Sequence, residues 1–593
     1  MQLELIDWVI LVAFFVFSLG VGVWASRRAG SSTTEFFLSG RKMPWWLLGI
    51  SMVATTFSAS APNWVADAVR RNGVAANWLW WSMVLTGMMT VFIYSKLWRR
   101  IGVMTDIEFY ELRYSGRPAS FLRGFRALYL GVVFNTLVMA DVTLAGIKIG
   151  GVMFELSPLN MVLIAGGVTV VYSALGGLLG VLITDLFQFF LAMAGAIFAA
   201  YYVVQLPEVG GLKNLLQHEN LAGKVSMFPD FSNLDLLIPL FIMPLAVQWW
   251  STWYPGAEPG GGGFIAQRML AAKDENHALG ATLLFNIAHY AIRPWPWIVV
   301  CLASLIVFPN LESLQRAFPN FEASKVQHDM AYPAMLSLLP AGLLGMVVAS
   351  LAAAYMSTIS THLNWGSSYI VNDFYKRFVN PQASERRLVL VGRLMTVLLM
   401  FTTSFVALFL SNSLQSFYLI LQIGAGTGLL FLLRWFWWRI NAATEIAAMA
   451  ISFLVTAYLY FFQQDLLEWK KLLIGVGVTT VGWIVVMFLT RPDDQAKLVS
   501  FYRLARPGGP GWRRVLERAR AEGQSVDHDG KGWEVPLGIV GMLVGSLLVF
   551  SVIFATGYWL YGEHALATVM TLVAIGLILF LVWVWKRLTT TTE

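Results

Sequence analysis

The sequence predicts an all-α polytopic membrane protein with about fifteen transmembrane helices, and three observations predict it. Hydrophobic residues make up 57% of the 593 and charged residues only 13%, against about 25% charge in soluble domains. The mean hydropathy is +0.65. Apolar runs long enough to cross about 30 Å of hydrocarbon recur along the chain. The same composition excludes other classes. A single cysteine, Cys301, excludes an intramolecular disulfide and every thiolate metal motif. The net charge of +7 lies mainly in loops, where it orients a membrane chain rather than binding nucleic acid. No GxxxxGK[ST] occurs, so no fused nucleotide-binding domain is expected.

Taken in order, the spans fall near 6–26, 45–68, 76–99, 122–151, 157–176, 180–205, 232–255, 278–308, 330–374, 386–411, 415–437, 441–463, 470–490, 534–556 and 564–586. The first lacks the basic leader and small-residue cleavage site of a signal peptide and is expected to stay as a span. The ninth reads as a loop plus one long helix. Basic clusters follow the odd-numbered spans: Arg27-Arg28 with Arg41-Lys42, Lys96 with Arg99-Arg100, Arg268 to Lys273, Lys376 to Arg387, Arg434 with Arg439, and nine Lys or Arg in the 491–533 loop. Sharing one side makes that side cytoplasmic. The N-terminus is then outside, and the tail beginning Lys586-Arg587 inside, in a cell membrane. The 491–533 loop reads as a linker to the last two spans, and its middle, PGGPGWRRVLERARAEG, predicts one short amphipathic surface helix.

Two spans carry more hydroxyl and small residues than contact with hydrocarbon favours: GISMVATTFSASAPNWVADAVRR at 49–71 and GLLGMVVASLAAAYMSTISTHLNWGSSYIVNDFY at 342–375. Hydroxyls and freed carbonyls at mid-membrane suit a desolvated Na⁺, and unwound backbone is tolerated there only beside a cavity. On a helix, Ala354, Ser357 and Thr358 stand at i, i+3 and i+4 and share a face. The competing reading is that these hydroxyls bond back to their own helix and pack. Asp185, inside VLITDLFQFF with Thr184 before it and Gln188 one turn on, costs several kcal/mol unless paired, wet or ion-binding. It is an ion ligand, a proton carrier or the partner of a buried Arg.

These segments resemble the sodium:solute symporter family, the group of the sodium/glucose, sodium/proline and sodium/sialic acid cotransporters. The likeness is carried by GRKMPWW at 40–46, ISMVATTFSA at 50–59, TDIEFYELRYSG at 105–116, YSALGGLLGVLITDLFQ at 172–188, QRMLAAKD at 267–274, MSTISTHLNWGSSYIVNDFY at 356–375 and GR at 392–393. It covers roughly residues 5–465. The resemblance implies a five-plus-five inverted-repeat core: an extra N-terminal span and loop in 1–40, a first repeat in 41–205 and a second in 206–440. Peripheral spans in 441–490, the 491–533 cytoplasmic loop and the last two spans and tail in 534–593 follow, making about four C-terminal spans. It also implies a sodium site on Ala54 and Phe57 of the first core helix and on Ala354, Ser357 and Thr358 of the eighth. Asp185 falls on a buried aspartate of the fifth core helix, with Thr184 and Gln188 beside it, as a second ion site or ion exit.

The chain departs from its sugar-carrying relatives at AVQWWSTWYPGAEPGGGGFIAQR, residues 246–268, where two prolines and five glycines lie between Tyr254 and Phe264. A helix is expected to break there. Gln248, Trp249, Trp250 and Trp253 beside the break offer flat faces and an amide to a sugar or polyol, though Trp facing lipid is the commoner arrangement. Arg293, well inside a span, must be paired. It either clamps a substrate carboxylate or pairs with Asp67, Asp141, Glu258 or Asp329, with His289 one turn earlier. Ser58, Asn63, Asp67, Asn135 and Gln422 complete the expected solute site, Gln422 because sugar-carrying relatives place a glutamine nearby.

The function expected is Na⁺-coupled symport of a small polar solute, a sugar or polyol first, into the cytoplasm by alternating access. The rivals are Na⁺-coupled uptake of a carboxylated solute held by Arg293, and a transporter-derived sensor. Proton coupling is disfavoured because Ser357 and Thr358 do not titrate. No enzyme, nucleic-acid partner or obligate protein partner is expected; the partners are the solute, sodium ions and the bilayer.

Overall fold

The computed structural model describes residues 4–154, 156–252, 259–319, 326–410, 424–524, 526 and 533–590. Every regular element among them is helical, and 12 helices are long and apolar enough to cross a membrane. The chain is therefore a multi-pass helical membrane protein.

Where the helices break decides where chemistry can sit. Trp45–Thr56 stops after 12 residues. Helix resumes at Ala61–Asn72, with Pro62 in its first turn, where a missing N–H leaves no bond unmade. Pro158–Val204 runs for 47 residues, about 70 Å if straight at 1.5 Å per residue, or twice the hydrocarbon thickness. Gly177 divides it, with φ +54° and ψ −159°. A Cβ there would lie 2.8 Å from the Phe36 carbonyl oxygen, so the bend needs glycine twice over. Leu234–Ser251 ends just before the Gly/Pro run. Gly260, Gly261 and Gly263 then take φ of +76°, +79° and +56° before helix Gly263–Ala271 carries Gln267 and Arg268 back into the interior.

Leu343–Ser368 is almost wholly buried and continues to Val379. It packs on Gly167–Val204, and Leu5–Ala29 packs against both. Asp7 at the start of Leu5–Ala29 accepts the Gly342 and Gly345 N–H groups, both at 2.7 Å, and so caps the start of Leu343–Ser368. Toward the C-terminus, Ala442–Phe462 pairs with Glu468–Leu489, and Val535–Tyr561 with His564–Thr590.

The 491–533 segment contains the short helix expected in its middle, Arg513–Ala521, and a further one before it, Gln495–Ala505. They are seated on the helical body. Trp512 Nε1 donates to the Trp435 carbonyl at 2.9 Å, and Arg113 lies 3.7 Å from Asp493 with its guanidinium 5.0 Å from the Trp512 ring centre. An indole and a guanidinium with apolar bodies and polar tips explain why this charged stretch docks rather than trailing in solvent.

Candidate functional site

The break between Trp45–Thr56 and Ala61–Asn72 faces the middle of Leu343–Ser368. Ser58, at φ +23°, is held in a conformation uncommon for a residue with a Cβ, and its hydroxyl lies 2.8 Å from that of Ser60. Across the gap, Thr358 Oγ1 lies 2.7 Å from the Thr55 carbonyl and 3.0 Å from that of Ala354. Thr55 and Thr361 hydroxyls meet at 2.9 Å. Ala54, Phe57, Ala354, Ser357 and Thr358 are all buried. The Ala54 carbonyl accepts the Phe57 N–H at 3.0 Å, keeping a second lone pair. Hydroxyl and carbonyl oxygens from two helices thus crowd one buried level, the donor set a hard monovalent cation takes.

Ser357 points to a carboxylate as well. Its hydroxyl donates to Asp185 Oδ1 at 2.6 Å, and Ser51 donates to Oδ2 at 2.5 Å. Arg268 stands 3.9 Å from Asp185 and donates to Thr361 Oγ1 at 2.7 Å and to Gln267 Oε1 at 2.8 Å. Both charged side chains are fully buried. The aspartate is therefore the partner of a buried arginine, one of the three roles open to it in the sequence, and it joins the Ser357 oxygen in one network. Thr184 does not enter it: its hydroxyl lies 2.9 Å from the Gly180 carbonyl of its own helix. Gln188 is buried one turn further on. Ser51 and Arg268 were missed by the sequence reading, although both lie inside quoted motifs.

Beside the break lies a cavity of about 110 Å³. Thr55, Thr56, Ser58 and Ser60 line one wall, with Thr358 and His362 from the long helix. Asp141, His289, Tyr290 and Arg293 bring further polar groups, and Trp64, Trp80, Phe264 and Trp297 the aromatic faces. Arg293 donates to the Thr56 carbonyl, lies 3.4 Å from His289 Nε2 and sits 5.0 Å from the Trp297 ring centre. His289 Nδ1 is 2.7 Å from Thr56 Oγ1. The arginine thus ties Glu275–Ile287 and its continuation to the broken end of Trp45–Thr56.

Of the solute residues expected from sequence, Ser58 and Arg293 line this cavity. The other described candidates are not among its lining residues. Asn135 is locked to His362, donating to its carbonyl at 2.8 Å and meeting its Nδ1 at 2.6 Å, so it positions a lining residue. Asn63 is buried outside the lining. Asp67 pairs with Arg71 at 2.6 Å, and Asp329 with Lys148 at 2.6 Å, so two of the four acids offered as partners for Arg293 have cations of their own, while Asp141 lines the same cavity as the arginine. Gln248 donates to the Leu79 carbonyl at 2.8 Å, while Trp249 and Trp250 bond back to Leu245 and Ala246. Gln248 thus ties its helix to the chain at Leu79, while both indole N–H groups are satisfied within their own helix. Trp253, Glu258 and Gln422 lie outside the described residues.

A profile of the sodium:solute symporter family matches residues 36–452. The chain is 27% identical over 531 residues to the sodium/glucose cotransporter of Vibrio parahaemolyticus, across 84% of this chain and 93% of that one. It is 28% identical over 423 residues to sodium/myo-inositol cotransporter 2 of Oryctolagus cuniculus, across 67% and 60%. Its fold resembles the outward-open, substrate-bound structure of a Na⁺-coupled sialic acid symporter, with a TM-score of 0.66, 19% identity, and coverage of 83% and 100%.

Proposed function

The chain belongs to the sodium:solute symporter family, and from that premise we propose that it carries Na⁺ together with a sugar or polyol into the cytoplasm. It is a sodium-coupled transporter of a small organic solute, not an enzyme. One observation supports coupling above all. Thr358 belongs both to the oxygen-rich level between the two helices and to the lining of the cavity. An ion that draws Ala54, Phe57, Ala354, Ser357 and Thr358 together fixes the broken helix against Leu343–Ser368 and so shapes the wall a solute meets. Solute and ion then bind with a shared coupling free energy, and alternate opening to either side releases both. Asp185, with Thr184 and Gln188 nearby, is the proposed second ion site or exit.

We read the architecture as a five-plus-five inverted repeat with repeats in 41–205 and 206–440. Fifteen spans follow if Pro158–Val204 counts as two, 45–72 as one broken span and 415–437, described only from 424 on, as one more. A cytoplasmic side carrying the basic loops is supported by their meeting: Arg99 donates to the Ala272 carbonyl at 2.7 Å, Arg100 pairs with Glu275 at 2.8 Å, and Arg377 with Glu111 at 2.9 Å. The N-terminus is then outside and the membrane a cell membrane.

A second reading, a carboxylated solute, is favoured by Arg293 in the cavity wall. The experiment is stabilisation of purified protein by sugars, polyols, amino acids and carboxylates, each in NaCl and in matched KCl. A shift for neutral sugars or polyols only in NaCl supports the first reading. A shift confined to carboxylates and abolished in Arg293→Gln supports the second. Stabilisation indifferent to Na⁺ overturns the coupling.

A further inference from the structure

A second cavity, of about 420 Å³, opens on the outer face of the helical body, between the helix that begins at Gly116, residues 424–431 and Ala442–Phe462. Its walls are aromatic and apolar, with Phe121, Phe125, Tyr129, Phe431, Met449 and Phe453 prominent. Phe121, Phe125 and Phe453 are 58%, 42% and 57% exposed. Large apolar side chains so exposed on membrane-spanning helices face lipid tails.

Arg126 lines this greasy cavity and is only 8% exposed. Its Nη1 lies 3.4 Å from Met449 Sδ, a weak acceptor, and its guanidinium is 5.3 Å from the Phe431 ring centre and 5.9 Å from that of Tyr110. Its Nε has no hydrogen-bond partner. Among the described residues no carboxylate lies within ion-pair distance of it, whereas its buried neighbours are matched: Arg123 with Asp373, Glu108 and Glu111, and Arg434 with Glu445. Asp106 accepts instead from Tyr369 and from the Gly263 N–H. A guanidinium against hydrocarbon is costly unless an anion meets it, and among the described residues Asp106 acts on Arg126 only at Coulombic range, with no contact between them.

We propose that this cavity binds an anionic phospholipid of the cytoplasmic leaflet, its phosphate on Arg126 and an acyl chain along the aromatic wall. The depth suits the ligand. The helix from Gly116 to Gly151 is 36 residues long, about 54 Å against about 30 Å of hydrocarbon, so with the surplus shared between its ends the first turns stand at the headgroup level and Arg126, about 15 Å along, lies just inside it. The exposed Arg117 at the helix start adds positive charge nearer the headgroup level. Planar, bidentate donation is the geometry by which arginine takes phosphate.

The test uses the full chain in neutral detergent, stripped of lipid. Phosphatidylglycerol, phosphatidylethanolamine of the same chains, and inorganic phosphate are each titrated, with bound lipid read by native mass spectrometry and stability by thermal unfolding. The expected result is one tightly held phosphatidylglycerol per chain, stabilising, with at least tenfold weaker phosphatidylethanolamine and no effect of phosphate alone. Arg126→Gln should lose at least tenfold in phosphatidylglycerol affinity. Ala450→Trp, at an exposed position on the cavity wall, should block the chain while leaving Arg126 in place, and decides the matter if Arg126→Gln fails to fold. Equal binding of the two lipids, stabilisation by phosphate alone, or unchanged affinity in the variant that folds overturns the proposal.

Discussion

Replacing Arg268 by glutamine should destabilise the protein through Asp185, and the size of the effect follows from their geometry. The two charges are 3.9 Å apart with both side chains fully buried. At an effective dielectric constant of about 20, that separation is worth about 4 kcal/mol of attraction. Arg268→Gln removes it and leaves a carboxylate held only by Ser51 and Ser357, a situation that elsewhere costs about 3–5 kcal/mol. Adding Asp185→Asn removes the stranded charge, so the double variant should be more stable than Arg268→Gln alone. The assay is denaturant unfolding of the four proteins in KCl, closed as a double-mutant cycle, with an expected coupling of about 3 kcal/mol. Repeating it in NaCl should rescue Arg268→Gln more than the parent, because a cation near Ser357 partly replaces the lost guanidinium. Additivity to within about 0.5 kcal/mol would refute the reasoning.

Three further outcomes are expected. Gly177→Ala places a Cβ 2.8 Å from the Phe36 carbonyl in a backbone conformation that glycine alone adopts readily, so it should lower stability by at least about 2 kcal/mol; an unchanged unfolding curve contradicts the proposed bend. Burial alone would raise the pKa of Glu111, but hydrogen bonds from Arg377, Ser120 and Arg123 hold it down at about 2. Its contribution is therefore present above its usual pKa of 4.5 and is lost as pH falls toward 2, so Glu111→Gln should flatten the acid limb of stability across that window, and an identical acid limb would show that these hydrogen bonds do not stabilise the fold. Asp7→Asn weakens the acceptor for the Gly342 and Gly345 N–H groups and should cost about 1 kcal/mol, with Asp7→Ala costing more; calorimetric midpoints equal to the parent would show that the cap is idle.

The membrane class, the places where helices break and the Ala354, Ser357, Thr358 face were legible because each is written locally, in hydropathy, in Gly and Pro, or in i, i+3, i+4 spacing. The partners were not. Arg268 meets Asp185 across 83 positions of sequence, and nothing in QRMLAAKD says which acid it seeks. The sequence does not decide what the Trp/Gln cluster at 248–250 meets, because an indole beside a helix break looks the same whether it faces a solute or a neighbouring helix. Trp80 and Trp297, which line the cavity, stand in apolar runs that mark them only as membrane residues. Which face of a buried helix meets a cavity is set by its neighbours, and that information is spread over the chain.

Ser357 and Thr358 are adjacent yet differently engaged, and this separates their roles. Each brings an oxygen to the proposed ion level, so Ser357→Ala and Thr358→Ala should both raise the Na⁺ concentration needed for half-maximal stabilisation by at least tenfold. Without Na⁺ they should diverge. Thr358 holds the Thr55 carbonyl at 2.7 Å, so its loss separates the broken helix from Leu343–Ser368 and costs about 1 kcal/mol; Thr358→Ser, which keeps the hydroxyl, should restore both properties. Ser357→Ala instead leaves Asp185 one donor short. Adding Asp185→Asn should then recover stability in KCl without recovering the Na⁺ response. If Asp185→Asn restored the Na⁺ response as well, Ser357 would act only through the carboxylate, and the ion level would have to be redrawn without its oxygen.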